Sequence, residues 1–120
     1  MSETLVTVSV ETRKWLETIK ANVSKEIPST KYYERKHWAS FKNPSTNRRF
    51  AQLNPLAKEI RLFVKLPVSF DIRLEPTPSS RSWAETYPSI FKIKSGQDIE
   101  KATYLIIESH KSDSEKQIRI

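Results

Sequence analysis

Glu59-Ile60-Arg61-Leu62-Phe63-Val64-Lys65-Leu66 alternates without a break. Successive side chains of an extended chain point to opposite faces, so Ile60, Leu62, Val64 and Leu66 share one side and Glu59, Arg61, Phe63 and Lys65 the other. The segment reads as a strand with one face in a core. Upstream, Asn54-Pro55 closes a second run, Arg48 to Leu53, and Asn43-Pro44-Ser45-Thr46-Asn47 has the composition of a turn. Before that turn, Tyr32 to Lys42 places Tyr33, Arg35, His37, Ala39 and Phe41 on one face and Tyr32, Glu34, Lys36, Trp38, Ser40 and Lys42 on the other, which predicts one strand. The two runs pair as a hairpin whose turn and flanks carry Lys42, Arg48 and Arg49.

Downstream, Pro67 interrupts the alternation and Val68, Phe70, Ile72 and Leu74 resume it, a pattern that predicts an edge or a bulge. Pro76 to Pro88 has three prolines and no period, so it reads as a loop, with Trp83 and Tyr87 expected to pack down on the body. Ile90 to Lys94 is a further short strand.

Outside this block the period becomes that of a helix. Trp15, Leu16, Ile19 and Val23 share one helical face, Ser9 is the expected N-cap, Glu11 sits in the first turn, and Pro28 ends the helix after Ile27. Near the other end, Ser95 and Asp98 offer a cap, and Ile99, Ala102, Leu105, Ile106 and Ser109 make a second face. The helices are expected at 9–26 and 98–110, with residues 111–120 a charged, frayed tail after a single domain spanning 1–110. Strands joined by short turns are antiparallel, and two flanking helices bury their stripes by packing on one face of that sheet. The predicted class is therefore α+β, a two-layer sandwich of a four- to five-stranded antiparallel sheet. Its core is expected to include Trp15, Leu16, Ile19, Phe50, Ile60, Leu62, Val64, Ile99, Leu105 and Ile106.

Composition narrows the function. The chain has 120 residues, 37% hydrophobic and 29% charged, which suits one globular domain and neither a disordered nor a membrane-embedded one. No apolar run approaches the roughly 18 residues of a spanning helix, and Met1-Ser2-Glu3-Thr4 does not resemble a signal peptide, so a cytoplasmic protein without membrane partners is expected. The absence of cysteine agrees with that compartment and excludes thiolate chemistry and disulfides. One glycine in the whole chain excludes the glycine-rich phosphate loops and the Gly-x-Ser-x-Gly elbow, each of which needs several residues without Cβ.

The charge is uneven. Residues 31–66 carry nine basic side chains against Glu34 and Glu59, a net of +7, which equals the net charge of the whole chain. Such a field gathers polyanions, although a basic face also serves solubility alone. Aromatic residues are interleaved with these bases: Tyr32, Tyr33, Trp38 and Phe41 among Lys31, Arg35, Lys36 and Lys42. Rings that stack on unpaired bases beside cations that follow phosphates are the combination single-strand binders use, and Trp38 is the best placed of the four. A strand with one buried face also holds aromatics merely as core.

Other chemistry is less supported. Glu34-Arg35-Lys36 matches the Glu-x-Lys end of a restriction-type nuclease core, which also needs an upstream acidic partner for the metal; Glu3, Glu11, Glu17 and Glu26 are the only acids available there. His37 and His110 have no ligand spacing that fixes a metal, and His37 reads as a packed side chain on the Phe41 face. No catalytic residue, metal ligand or cofactor is expected.

Phe50-Ala51-Gln52-Leu53-Asn54-Pro55, Lys58, the Ile60–Leu66 strand, the loop residue Trp83, and Asp98-Ile99 opening a helix with Ala102, Leu105 and Ile106 together resemble small α+β domains similar to the MmcQ/YjbR-like family. They also resemble a domain of unknown function found alone or beside restriction-nuclease-like and predicted transport proteins. The resemblance spans residues 28–110 and implies a two-layer sandwich without established catalytic residues and with a nucleic-acid-binding role. The stretch from Pro67 to Pro88 departs from it by being longer and richer in proline.

The expected function is a nucleic-acid-binding module, for DNA or RNA, whose contacts are Lys36, Trp38, Lys42, Arg48, Arg49 and Arg61. The alternative is a protein-interaction or self-association module, a homodimer included, with Phe63, Trp38 or Trp83 exposed at its interface.

Overall fold

A computed structural model describes residues 9–78 and 86–118, with side chains to residue 114. Helix α1 (Val10–Glu26) opens with a capping box: the Ser9 hydroxyl accepts the Thr12 N–H at 3.2 Å, and the Thr12 hydroxyl accepts the Ser9 N–H at 2.9 Å. Its buried face is Thr12, Leu16, Ile19 and Val23. Strands β1 (Lys31–Glu34), β2 (Ala39–Asn43), β3 (Arg48–Pro55), β4 (Ile60–Val64), β5 (Glu75–Pro76) and β6 (Ser89–Ile93) form one sheet in the order β1-β2-β3-β4-β6-β5, antiparallel throughout. Helix α2 (Ile99–Ile118) lies beside α1 against β2, β3, β4 and β6. The fold is α+β, with six strands where four to five were expected.

Eight of the ten expected core residues have no solvent exposure, and Trp15 and Ile99 pack against them at the border of the cluster. Phe63, on the opposite sheet face as its alternation requires, is buried too; with Tyr87 and Ile90 it makes a second, smaller cluster. Trp83 lies outside the described residues.

Three readings of the sequence need correction. First, Tyr32–Lys42 is two strands, because the chain turns back at Arg35–Trp38, where the Arg35 N–H donates to the Trp38 carbonyl at 2.7 Å. The turn reverses the faces: Tyr32, and not Tyr33, pairs with Phe41, their rings 5.2 Å apart, while His37 is exposed in the turn. Second, Val68–Leu74 is not a strand. Pro67 supplies no ladder N–H, Val68–Phe70 is a single 3-10 turn, and the Asp71 carboxylate accepts the Arg73 N–H at 2.9 Å. Only Leu74 enters the core, and Ile72 is 99% exposed.

Third, the residues read as a frayed tail continue the helix to Ile118. Two polar side chains hold it down. The Ser109 hydroxyl donates to the Phe50 carbonyl and accepts the Lys65 N–H at 2.7 Å, joining β3 to the chain just after β4. One helical turn on, Asp113 is fully buried beneath the β2–β3 turn.

Candidate nucleic-acid interface

The interface grows out of the β2–β3 turn. Asn43 side-chain Oδ1 accepts the Ser45 N–H at 3.1 Å, and Asn47 takes a left-handed φ of 57°, which asparagine tolerates better than most residues. This tight turn presents Arg48 and Arg49 on opposite sheet faces. β3 carries a bulge opposite Phe41 and Lys42, so Phe50 and Ala51 both enter the core while Lys42 pairs with Arg49. Lys31 in turn pairs with Lys42.

Lys31, Lys42 and Arg49 therefore form a row across three strands, each about 4.8 Å from the next strand. Like charges placed opposite one another cost stability. Among the described residues no carboxylate lies within ion-pair distance of these three, nor of Arg35 or Lys36, both exposed in the β1–β2 turn.

Two clefts meet along this row. One, of about 370 Å³, is lined by Tyr33, Lys42, Asn47, Arg48, Arg49 and Lys65 among others. The other, of about 550 Å³, is lined by Lys31, Tyr32, Tyr33, Arg35 and Lys42. Tyr33 and Lys42 border both, and among the described residues neither lining includes a carboxylate. By contrast, the cleft between α1 and α2, about 580 Å³, mixes Lys25 with Glu26 and Glu100.

Of the six residues expected in the site, Lys36, Lys42 and Arg49 are cations without a carboxylate partner among the described residues. Trp38 is half-buried, its ring edge-on to Tyr33 at 5.9 Å and under the Arg49 guanidinium at 5.4 Å. Arg48 turns to the helix side, where its Nε donates to Asp113 at 3.0 Å. Arg61, on β4 opposite Asn54 at the other end of β3 from Arg49, donates from Nε to Glu59 at 3.0 Å. Sequence reasoning missed Lys31, Arg35 and Tyr33 as a group; their shared site depends on the turn at Arg35–Trp38, which the unbroken alternation concealed.

Asp113 organises the floor beneath. It accepts Lys65 Nζ and Arg48 Nε, each at 3.0 Å, on one oxygen, and Thr46 Oγ1 at 2.6 Å and Asn43 Nδ2 at 3.1 Å on the other. Burial pushes its carboxyl upward, but the bonds from Thr46, Lys65 and Arg48 outweigh that and hold it below the ordinary aspartate range. The network fixes the β2–β3 turn against α2.

Glu34 is on the inner face and is committed to structure. Arg13 reaches its two oxygens at 2.7 and 3.3 Å, and the Tyr32 hydroxyl donates to it at 2.7 Å. Burial, with the adjoining carboxylate, raises the Tyr32 phenol well above its usual value. Lys36 lies in the turn and does not share this arrangement. Among the described residues no three histidine or acidic side chains come together as metal ligands, and no helix is long and apolar enough to cross a membrane. Compared with protein-family models, with curated proteins and with solved structures, the chain has no significant match in any of the three.

Proposed function

We propose that the β1–β3 end of the sheet is a nucleic-acid-binding surface, and that the protein binds without catalysing a reaction on its ligand. The observation that carries this reading is the cross-strand row Lys31, Lys42 and Arg49, extended by Arg35 and Lys36, with no carboxylate partner among the described residues. Packing a row of like charges is unfavourable in the free protein, and phosphates relieve it. Arg48 and Arg61 already hold carboxylates and contribute field more than contact.

The test is fluorescence anisotropy of labelled single- and double-stranded DNA and RNA at two salt concentrations. Lys42→Glu/Arg49→Glu is the informative charge reversal, because neither side chain has an ion pair to lose among the described residues. Each lost phosphate contact lowers the salt slope by about one unit. Binding that is absent at low salt, or unaltered by this double variant, refutes the reading.

One observation favours a second reading, self-association. Val68, Phe70 and Ile72 project from the loop after β4, and Phe70 stacks on Tyr104 at 6.1 Å, leaving an exposed apolar patch on the helix side. Of the expected anchors, Phe63 is buried, Trp38 lies under Arg49, and Trp83 lies outside the described residues. If the patch joins two copies, light scattering finds a dimer that Ile72→Glu dissociates, and binding to nucleic acid is not required.

A further inference from the structure

We infer that Trp38 and Tyr33 are platforms that hold Arg49 and Arg35 as preset phosphate clamps, so that the surface takes the phosphodiester backbone of single and double strands alike. The inference rests on the nucleic-acid reading above and concerns how that ligand is held.

Base stacking needs an aromatic face open to the ligand. Here each ring is engaged. The Arg35 guanidinium lies over Tyr33 at 5.0 Å, the Arg49 guanidinium lies over Trp38 at 5.4 Å, and the two rings meet edge to face at an interplanar angle of 72°. The result is a chain of four groups, Arg35–Tyr33–Trp38–Arg49, on the outer face of the hairpin.

A guanidinium stacked on a ring uses its π face and leaves its five N–H bonds, which lie in its plane, free for a planar or tetrahedral anion. Neither arginine donates to a carboxylate among the described residues, so that capacity is unspent there. Stacking also restricts a long, flexible side chain before the ligand arrives. Each rotamer-rich side chain ordered only on binding weakens affinity by about 0.5–1.5 kcal/mol, or roughly two- to twelvefold. Tyr33 borders both basic clefts, and Arg35 lines one of them and Arg49 the other. Backbone phosphates present the same chemistry in either strand state and at any sequence.

The experiment is a double-mutant cycle read by anisotropy on a labelled dT 20-mer and on a mixed-sequence 20-base-pair duplex, with circular dichroism confirming that each variant folds. Trp38→Ala is expected to weaken binding about threefold and Arg49→Ala about tenfold, by the same factors on both ligands. The double variant should bind no more weakly than Arg49→Ala alone, because Trp38 acts through that arginine. Trp38→Phe, which keeps a ring under the guanidinium, should restore most of the affinity.

A further loss on the dT 20-mer alone, when Trp38→Ala is added to Arg49→Ala, means that Trp38 stacks on bases; that overturns this inference and leaves the nucleic-acid surface standing. Failure of the parent protein to bind either ligand in a salt-dependent way overturns both.

Discussion

Asp113→Asn should cost about 3 kcal/mol of stability. The substitution keeps the shape of the side chain and removes its charge. Asp113 has no solvent exposure, and it faces Lys65, 10% exposed, and Arg48, 46% exposed. Breaking a buried ion pair by removing one partner costs about 3–5 kcal/mol, because the other charge is left without compensation. Arg48 can swing into water, so its share is that of a surface pair, about 1 kcal/mol or less. Lys65 cannot, and it supplies most of the penalty. The amide that replaces the carboxylate can still accept from Thr46 and Asn43, but it then turns donors toward Lys65 and Arg48. The total falls at the lower end of that range, equivalent to about 10 °C in Tm for a chain of this size.

Urea unfolding at pH 7, followed by circular dichroism, measures the loss as a shift in midpoint at constant slope. Adding Lys65→Met removes the stranded ammonium and should recover about half. The pH dependence supplies an independent check. The folded carboxyl titrates below the unfolded value of 3.8, so its contribution is complete above that pH and is lost as pH falls through the folded value. The gap between parent and variant should therefore close in acid. An Asp113→Asn variant within about 0.5 kcal/mol of the parent refutes the reasoning, as does a double variant no more stable than Asp113→Asn.

Phe63→Ala should destabilise by about 3 kcal/mol in the same assay, since Phe63 is 3% exposed and packs against Tyr87 at 6.4 Å; a loss typical of a surface site would mean the second cluster is not cohesive. Burial lowers the His110 pKa below 6.5 while Asp113 opposes it, so stability should fall as pH drops through the region just below 6.5, and His110→Phe, which keeps a ring edge-on to Phe50, should flatten that limb of the unfolding curve. Incubation with plasmid DNA and magnesium or manganese should leave the DNA intact, and cleavage abolished by Glu34→Ala or Lys36→Ala would overturn the non-catalytic reading. Arg13→Ala should loosen β1 selectively, seen as faster amide exchange at Tyr32 and Glu34 than elsewhere in the sheet, because Arg13 ties that edge strand to α1.

The parts of the fold legible in the sequence are those where one local signal had no competitor. Ile60–Leu66 alternates between a core and an outer face, and Ser9 and Ser95 sit where caps are needed; both capping boxes form. Alternation failed where a second force overrode it. Tyr32–Lys42 keeps period 2 on paper, yet a four-residue turn reverses the chain and switches the parity, so that even positions of β1 share a face with odd positions of β2. Val68, Phe70, Ile72 and Leu74 alternate as well, but Pro67 withdraws a ladder donor and ion pairs from Asp71 to Lys101 at 2.7 Å and from Arg73 to Asp98 at 2.8 Å tie the segment to α2 and its entry. Those partners lie about thirty residues away in sequence, beyond any local pattern.

The same limit explains why a segment count of charge does not tell which of these cations are paired. Of the nine cations in residues 31–66, Arg61 is paired within the segment, but Arg48 and Lys65 are answered by Asp113, from a stretch that looks like solvated tail. A carboxylate brought in by tertiary structure engages two cations, offsets one of their charges, and at the same time fixes the turn that carries Arg49. Besides Lys58, which is exposed in the β3–β4 turn, what remains is Lys31, Lys42 and Arg49 in a row with Arg35 and Lys36 beside it, a smaller and better ordered group than the sequence suggests. Ordered cations with no carboxylate partner among the described residues cost the free protein stability, whereas a diffuse excess in long mobile side chains would cost little. That difference is physical, and it is why the geometry argues for an anionic partner more strongly than the net charge does.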